Sequence, residues 1–118
     1  MGLSDSALLD GANGIRSGLG GAQLHTADPG VGGAANKSSA AMVVPAWTTP
    51  TGAGNFDLSV PMNFTGGTAN GPVTFVSLWS TTAAGAVWKG NIALSGDLTF
   101  NSSGAITISS LPIRGSSA

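Results

Sequence analysis

Phe56-Asp57-Leu58-Ser59-Val60-Pro61-Met62-Asn63-Phe64 places five apolar side chains in strict alternation with Asp57, Ser59, Pro61 and Asn63. Successive side chains of an extended chain point to opposite faces, so a period of two reads as a half-buried strand. The pattern predicts Phe56, Leu58, Val60, Met62 and Phe64 on the core side. Asp57, Ser59 and Asn63 then face solvent or a partner. Pro61 brings no N–H to a ladder, which confines this strand to an edge or a bulge.

Working outward, the same grammar repeats. Residues 73–80 are apolar on both parities, as expected of a strand covered on both faces, and residues 87–94 set Trp88, Ile92 and Leu94 on one parity. Residues 98–101 and 105–111 read as a closing hairpin over Asn101-Ser102-Ser103-Gly104, with Ile106 and Ile108 inward. Upstream, residues 22–27 form a short strand closed by Asp28-Pro29-Gly30, where Pro and Gly suit the two central positions of a type II turn. Residues 31–39 are loop and residues 40–47 extended, while Gly66-Gly67 and Asn70-Gly71 mark the turn after Phe64. Seven short strands joined by small-residue turns predict an all-β chain, a small β-sandwich. Leu3, Ala7, Leu8, Ala12, Ile15 and Leu19 instead fall near helical spacing behind the cap candidates Ser4-Asp5-Ser6, which predicts a short N-terminal helix over about residues 4–13. The expected organisation is a helical arm over 1–21, a sandwich domain over 22–113 and a C-terminal tail over 114–118.

Composition narrows the function. Of 118 residues, 62 are Gly, Ala, Ser or Thr, and charged residues supply 8% against about 25% in an ordinary soluble domain. The chain has no Cys, Glu or Tyr and one histidine, His25. Thiol nucleophiles, disulfide frameworks and cysteine zinc sites are therefore excluded, and few groups remain for proton transfer. A formal net charge of −1 offers no basic field for nucleic acid or an anionic membrane. The uncharged run 58–88 is interrupted by Pro61, Gly66, Gly67, Gly71 and Pro72, so it accommodates no membrane-spanning helix. Low charge also means that Ser, Thr, Asn and Gly cover most of the surface, which suits a subunit occupied by neighbours.

Candidate chemistry is sparse. His25 and Asp28 lie three apart at a strand end, but no G-x-S-x-G elbow accompanies them, so catalysis is not expected. Asp28 is expected to cap its own turn through an Asx hydrogen bond, and His25 to fix the Asp28-Pro29-Gly30 turn. The five Asp residues are scattered singly, unlike a calcium loop, and no phosphate loop or cofactor motif is present. Trp79 and Trp88, with Lys89, are the candidates for an interface or a sugar contact, since an indole face offers a flat apolar platform.

The run Leu24-His25-Thr26-Ala27-Asp28-Pro29-Gly30 resembles a segment of the small tail-fibre and minor tail proteins of tailed bacteriophages, in particular those of actinobacterial phages. Val73-Thr74-Phe75-Val76-Ser77-Leu78-Trp79-Ser80 is similar to a later strand of that family, and Gly85-Ala86-Val87-Trp88-Lys89-Gly90 to the turn and aromatic that follow it. The likeness departs at Lys37, where the family carries an acid, and at Met42-Val43-Val44-Pro45-Ala46-Trp47, where it carries a Tyr-Ala-Arg run. The resemblance implies a virion component without enzymatic activity or cofactor. Its expected partners are copies of itself and other phage structural proteins, with a tail position favoured over the capsid surface. The alternatives are a capsid decoration protein and a carbohydrate-binding module that touches a host glycan through Trp79 or Trp88.

Overall fold

The computed structural model describes residues 4–52, 54–96 and 98–113. Helix α1 (Asp5–Ser17) is followed by strands β1 (Gly21–His25), β2 (Met62–Phe64), β3 (Phe75–Trp79), β4 (Trp88–Ala93) and β5 (Ile106–Ile108). The strands form two antiparallel sheets, one ordered β1-β3-β4 and the other β2-β5. The result is a small β-rich fold with one short helix.

Among the described residues five strands form, where seven were expected. Residues 40–47 stay extended but contribute only single bridges, Ala22 with Val43 and Trp47 with Leu58. The expected 98–101/105–111 hairpin keeps its turn, in which Asn101 Oδ1 accepts from the N–H groups of Ser103 and Ala105. Its two limbs then part. Thr99 bridges Pro72, while β5 pairs with β2 and aligns Ile108 with Met62 and Ile106 with Phe64.

The stretch that alternates most strictly is also broken. Phe56 bridges Ile113 and Leu58 bridges Trp47, the chain bends at Ser59 and Val60, and only Met62–Phe64 is regular strand. Phe56, Leu58, Met62 and Phe64 are buried as their parity requires, but Val60 is 56% exposed. The physical reason is the Ser59–Val60 bend, which precedes a proline that cannot donate to a ladder and takes Val60 out of phase. Asp57 is half-buried rather than outward-facing.

Side chains from both sheets share one core. Leu24 from β1, Val76 and Leu78 from β3, Met62 and Phe64 from β2 and Ile108 from β5 pack with Phe56, Val73, Phe100 and Leu111. Each such side chain withdrawn from water contributes about 1.5–3 kcal/mol. β1 is buried at every position, its inward parity by this core and its other parity, Gln23 and His25, by the chain that follows it.

α1 runs one turn beyond its expected end at Asn13. Ser4 caps it by accepting from Ala7 N–H at 3.2 Å, Asp5 and Arg16 sit at the ends their charges favour, and Gly18 donates back to the last carbonyls. Gly11 and Gly14 each cost about 1 kcal/mol relative to alanine, yet they do not stop the helix. Only Ala12 is buried.

Candidate functional site

The polar parity of the three-stranded sheet carries the chemistry, and the loop between residues 26 and 37 covers it. His25 ends β1 opposite Phe75, with Ser77 two residues further along β3 and Trp79 beyond it. His25 is 0% exposed, and both ring nitrogens are engaged. Nδ1 lies 2.8 Å from the Ala35 carbonyl and Nε2 lies 2.7 Å from Ser77 Oγ. A carbonyl only accepts, so Nδ1 carries the proton and Nε2 accepts from the Ser77 hydroxyl. Trp79 Nε1–H in turn donates to Ser77 Oγ at 2.7 Å. Burial pushes the His25 pKa below the ordinary histidine value, and the nearby Lys37 ammonium pushes the same way, against the raising effect of the Ala35 and Asn36 carbonyls. Burial and Lys37 both favour the neutral imidazole.

His25 was expected to fix the Asp28-Pro29-Gly30 turn; it makes no direct hydrogen bond to the turn and reaches it only through Ala35, whose N–H donates to the Pro29 carbonyl at 3.1 Å. That turn is held by Asp28 itself, whose Oδ1 accepts from Gly30 N–H at 2.9 Å while Gly30 takes φ +72°. His25 holds the returning limb instead, ten residues on, through Ala35. The reason is register: Thr26 N–H bonds to the Asn36 carbonyl and His25 bridges Lys37, so the loop folds back along β1 and brings Ala35 over the ring. Pro29 is fully buried, and Asn36 Nδ2 donates to the Asp28 carbonyl across the loop.

Residues 24–30, 73–80 and 85–90 meet here. Gly33, at φ +66°, rests on both indoles: a Cβ there would collide with Trp88 Cδ1 and lie 3.2 Å from Trp79 Cζ2. Trp88 Nε1–H donates to Asn91 Oδ1, and Asn91 Nδ2 donates to the Gly30 carbonyl, which ties β4 to the loop tip. Lys37 Nζ stands 5.6 Å from the Trp79 ring centroid. Trp79 and Trp88 are therefore half-buried under the loop. Lys89 points elsewhere, into a groove of about 530 Å³ that it lines with Gly11, Gly14, Ile15, Gly18 and Leu19.

Ser77 and His25 have the spacing of a nucleophile and its base, a pair that sequence reasoning missed because the two are 52 residues apart. The pair is sealed. Ser77 is 0% exposed, its oxygen is capped by the Trp79 indole, and Nδ1 faces a neutral carbonyl where a carboxylate would be needed to stabilise an imidazolium. Among the described residues no group of three or more acidic or histidine side chains is placed to hold a metal ion, and no helix is long and apolar enough to cross a membrane.

Comparison of the chain with protein-family models, with curated proteins and with solved structures gave no match.

Proposed function

We propose that the chain is a non-enzymatic structural subunit of a bacteriophage virion, a minor tail or tail-fibre component present in several copies. In this reading the two sheets act as a small β-sandwich and α1 is the arm that docks on neighbouring subunits. The observation that carries it is the thin seating of α1. Among the described residues the backbone of α1 lies close to none of the five strands, and Ala12 is the one helix residue that is buried. Its attachments among the described residues include the close approach of Gly54 to the Leu8 carbonyl and Ala12 and a 3.4 Å hydrogen bond from Arg16 to the Thr48 carbonyl, and just beyond its end the buried Leu19, whose carbonyl accepts from Trp47 Nε1–H. Ile15 is left 54% exposed beside the Lys89 groove. A glycine-containing helix with one buried alanine gains little from its own domain, so partner contacts are the natural source of the missing burial. The sparse charge of the chain and the resemblance at residues 24–30 and 73–80 support the same reading.

The carbohydrate-binding alternative is less favoured because Gly33 sits against both indoles and Lys37 occupies the Trp79 ring. The test is quantitative mass spectrometry of gradient-purified particles from a culture producing this chain. The proposal expects the chain in the particles at several copies each. Its presence only in the particle-free lysate would overturn the reading.

A further inference from the structure

We propose that His25 is a pH-operated latch: taking up a proton at Nε2 frees the 26–37 loop from the sheet and uncovers Trp79 and Trp88. The geometry behind this is a chain of donors with a fixed direction. Trp79 N–H points at Ser77 Oγ, the Ser77 hydroxyl points at His25 Nε2, and His25 Nδ1–H points at Ala35 O. Every link has one donor and one acceptor only while the ring is neutral. A proton on Nε2 turns that atom into a donor, so two N–H groups converge on Ser77 Oγ and its own hydrogen must find another acceptor. In a site where His25 and Ser77 are both 0% exposed, an unsatisfied group of this kind is costly.

The charged surroundings do not relieve the cation. Lys37, at the end of the loop, faces the ring and repels it. Asp28, in the same loop, spends Oδ1 on Gly30 N–H, and β3 brings only Ser77, Trp79 and apolar residues. On β4 the one charge is Lys89, in the α1 groove.

The loop is also the part that can leave cheaply. It covers the site with Ala35 over the ring and Gly33 on the indoles, while at its tip Val31 is 97% exposed, and the apolar core of the two sheets lies on the opposite parity of β1 and β3. Opening would give up Pro29, the Gly33 seat, the Asn91–Gly30 bond, the bonds to Ala35 and Asn36, the His25–Lys37 bridge and the Lys37 contact with the Trp79 ring, and no core side chain. The sign follows from linkage. The closed form binds the proton less readily than the open one, whose histidine has the ordinary value of about 6.5. Above that pH the closed-to-open ratio is therefore at its maximum and no longer changes with pH. Below it, the closed-to-open ratio falls by about tenfold per pH unit until the lowered pKa of the closed form is reached.

The experiment is acrylamide quenching of tryptophan fluorescence from pH 8 to 4, with far-ultraviolet circular dichroism on the same samples and His25 followed by NMR through its ring Cε1–H. The latch predicts that quenching rises as pH falls below 6.5, in step with the His25 ring titration, while the β signal persists. In His25→Gln that rise is absent. Should that variant fail to fold, the coincidence of ring titration and quenching in the unaltered chain decides alone. Quenching that stays flat across the range, or that rises only together with loss of the β signal, would overturn the latch.

Discussion

A methyl group added at Gly33 meets two obstacles at once, a backbone at φ +66° and the Trp88 ring. Gly32, one residue earlier at φ +91°, meets only the first, since nothing lies within 4 Å of a Cβ there. Gly32→Ala is expected to cost about 1 kcal/mol from backbone strain, and Gly33→Ala about 2–3 kcal/mol because overpacking adds to it. Urea midpoints of the two variants check this, and equal losses would mean that the loop does not rest on the indoles. Asp57 supplies a second contrast. Its Oδ1 accepts from the N–H groups of Leu58 and Leu111, and Oδ2 accepts from Ser110 Oγ at 2.7 Å. Asp57→Ala leaves half-buried donors without that acceptor and is expected to lower stability by about 2–3 kcal/mol in the same assay. The sequence marked Asp57 as an outward residue of an alternating run. It could not show that Leu111, 54 residues away, delivers an N–H to it. The Asx bond of Asp28 was legible because donor and acceptor are two residues apart, and the His25–Ser77 pair was not, because it depends on strand register.

At the scale of elements, local signals were readable where local physics decides. The serine cap of α1 was visible, as was the turn at residues 101–104. The helix end was misplaced by about one turn because glycine propensity was weighed without knowing that Gly11 and Gly14 face open space, where no packing partner is lost. Strand pairing was less legible: Leu98 and Phe100 bond to residues 70–73, and only Asn101 bonds back to its hairpin neighbour Ala105, an arrangement that accompanies the burial of Phe100. Two substitutions in α1 separate its internal stability from its docking. Ser4→Ala removes the cap and is expected to destabilise the helix by about 1 kcal/mol, seen as faster amide exchange over residues 7–12. Ile15→Ala, at a half-exposed position, is expected to change the stability of the isolated chain by no more than about 0.5 kcal/mol while reducing its incorporation into particles. A large stability loss from Ile15→Ala would place that side chain in the domain's own core instead.

For the whole molecule, the fold divides into parts held to different degrees. The core shared by β1, β2, β3 and β5 is supported from several directions, the 26–37 loop by hydrogen bonds and two indoles, and α1 by one buried alanine and loop contacts. Ordering a residue costs about 1–2 kcal/mol for its backbone alone, so the part with the least burial has the least to hold it in the isolated chain. The central claim, that α1 is a docking arm completed by neighbouring subunits, is tested most directly by hydrogen exchange measured on the isolated chain and on the assembled phage particle. The account predicts weak protection of residues 8–15 in the isolated chain and strong protection in the particle, with β1 and β3 strongly protected in both. Equal and strong protection of residues 8–15 in the two states would contradict it.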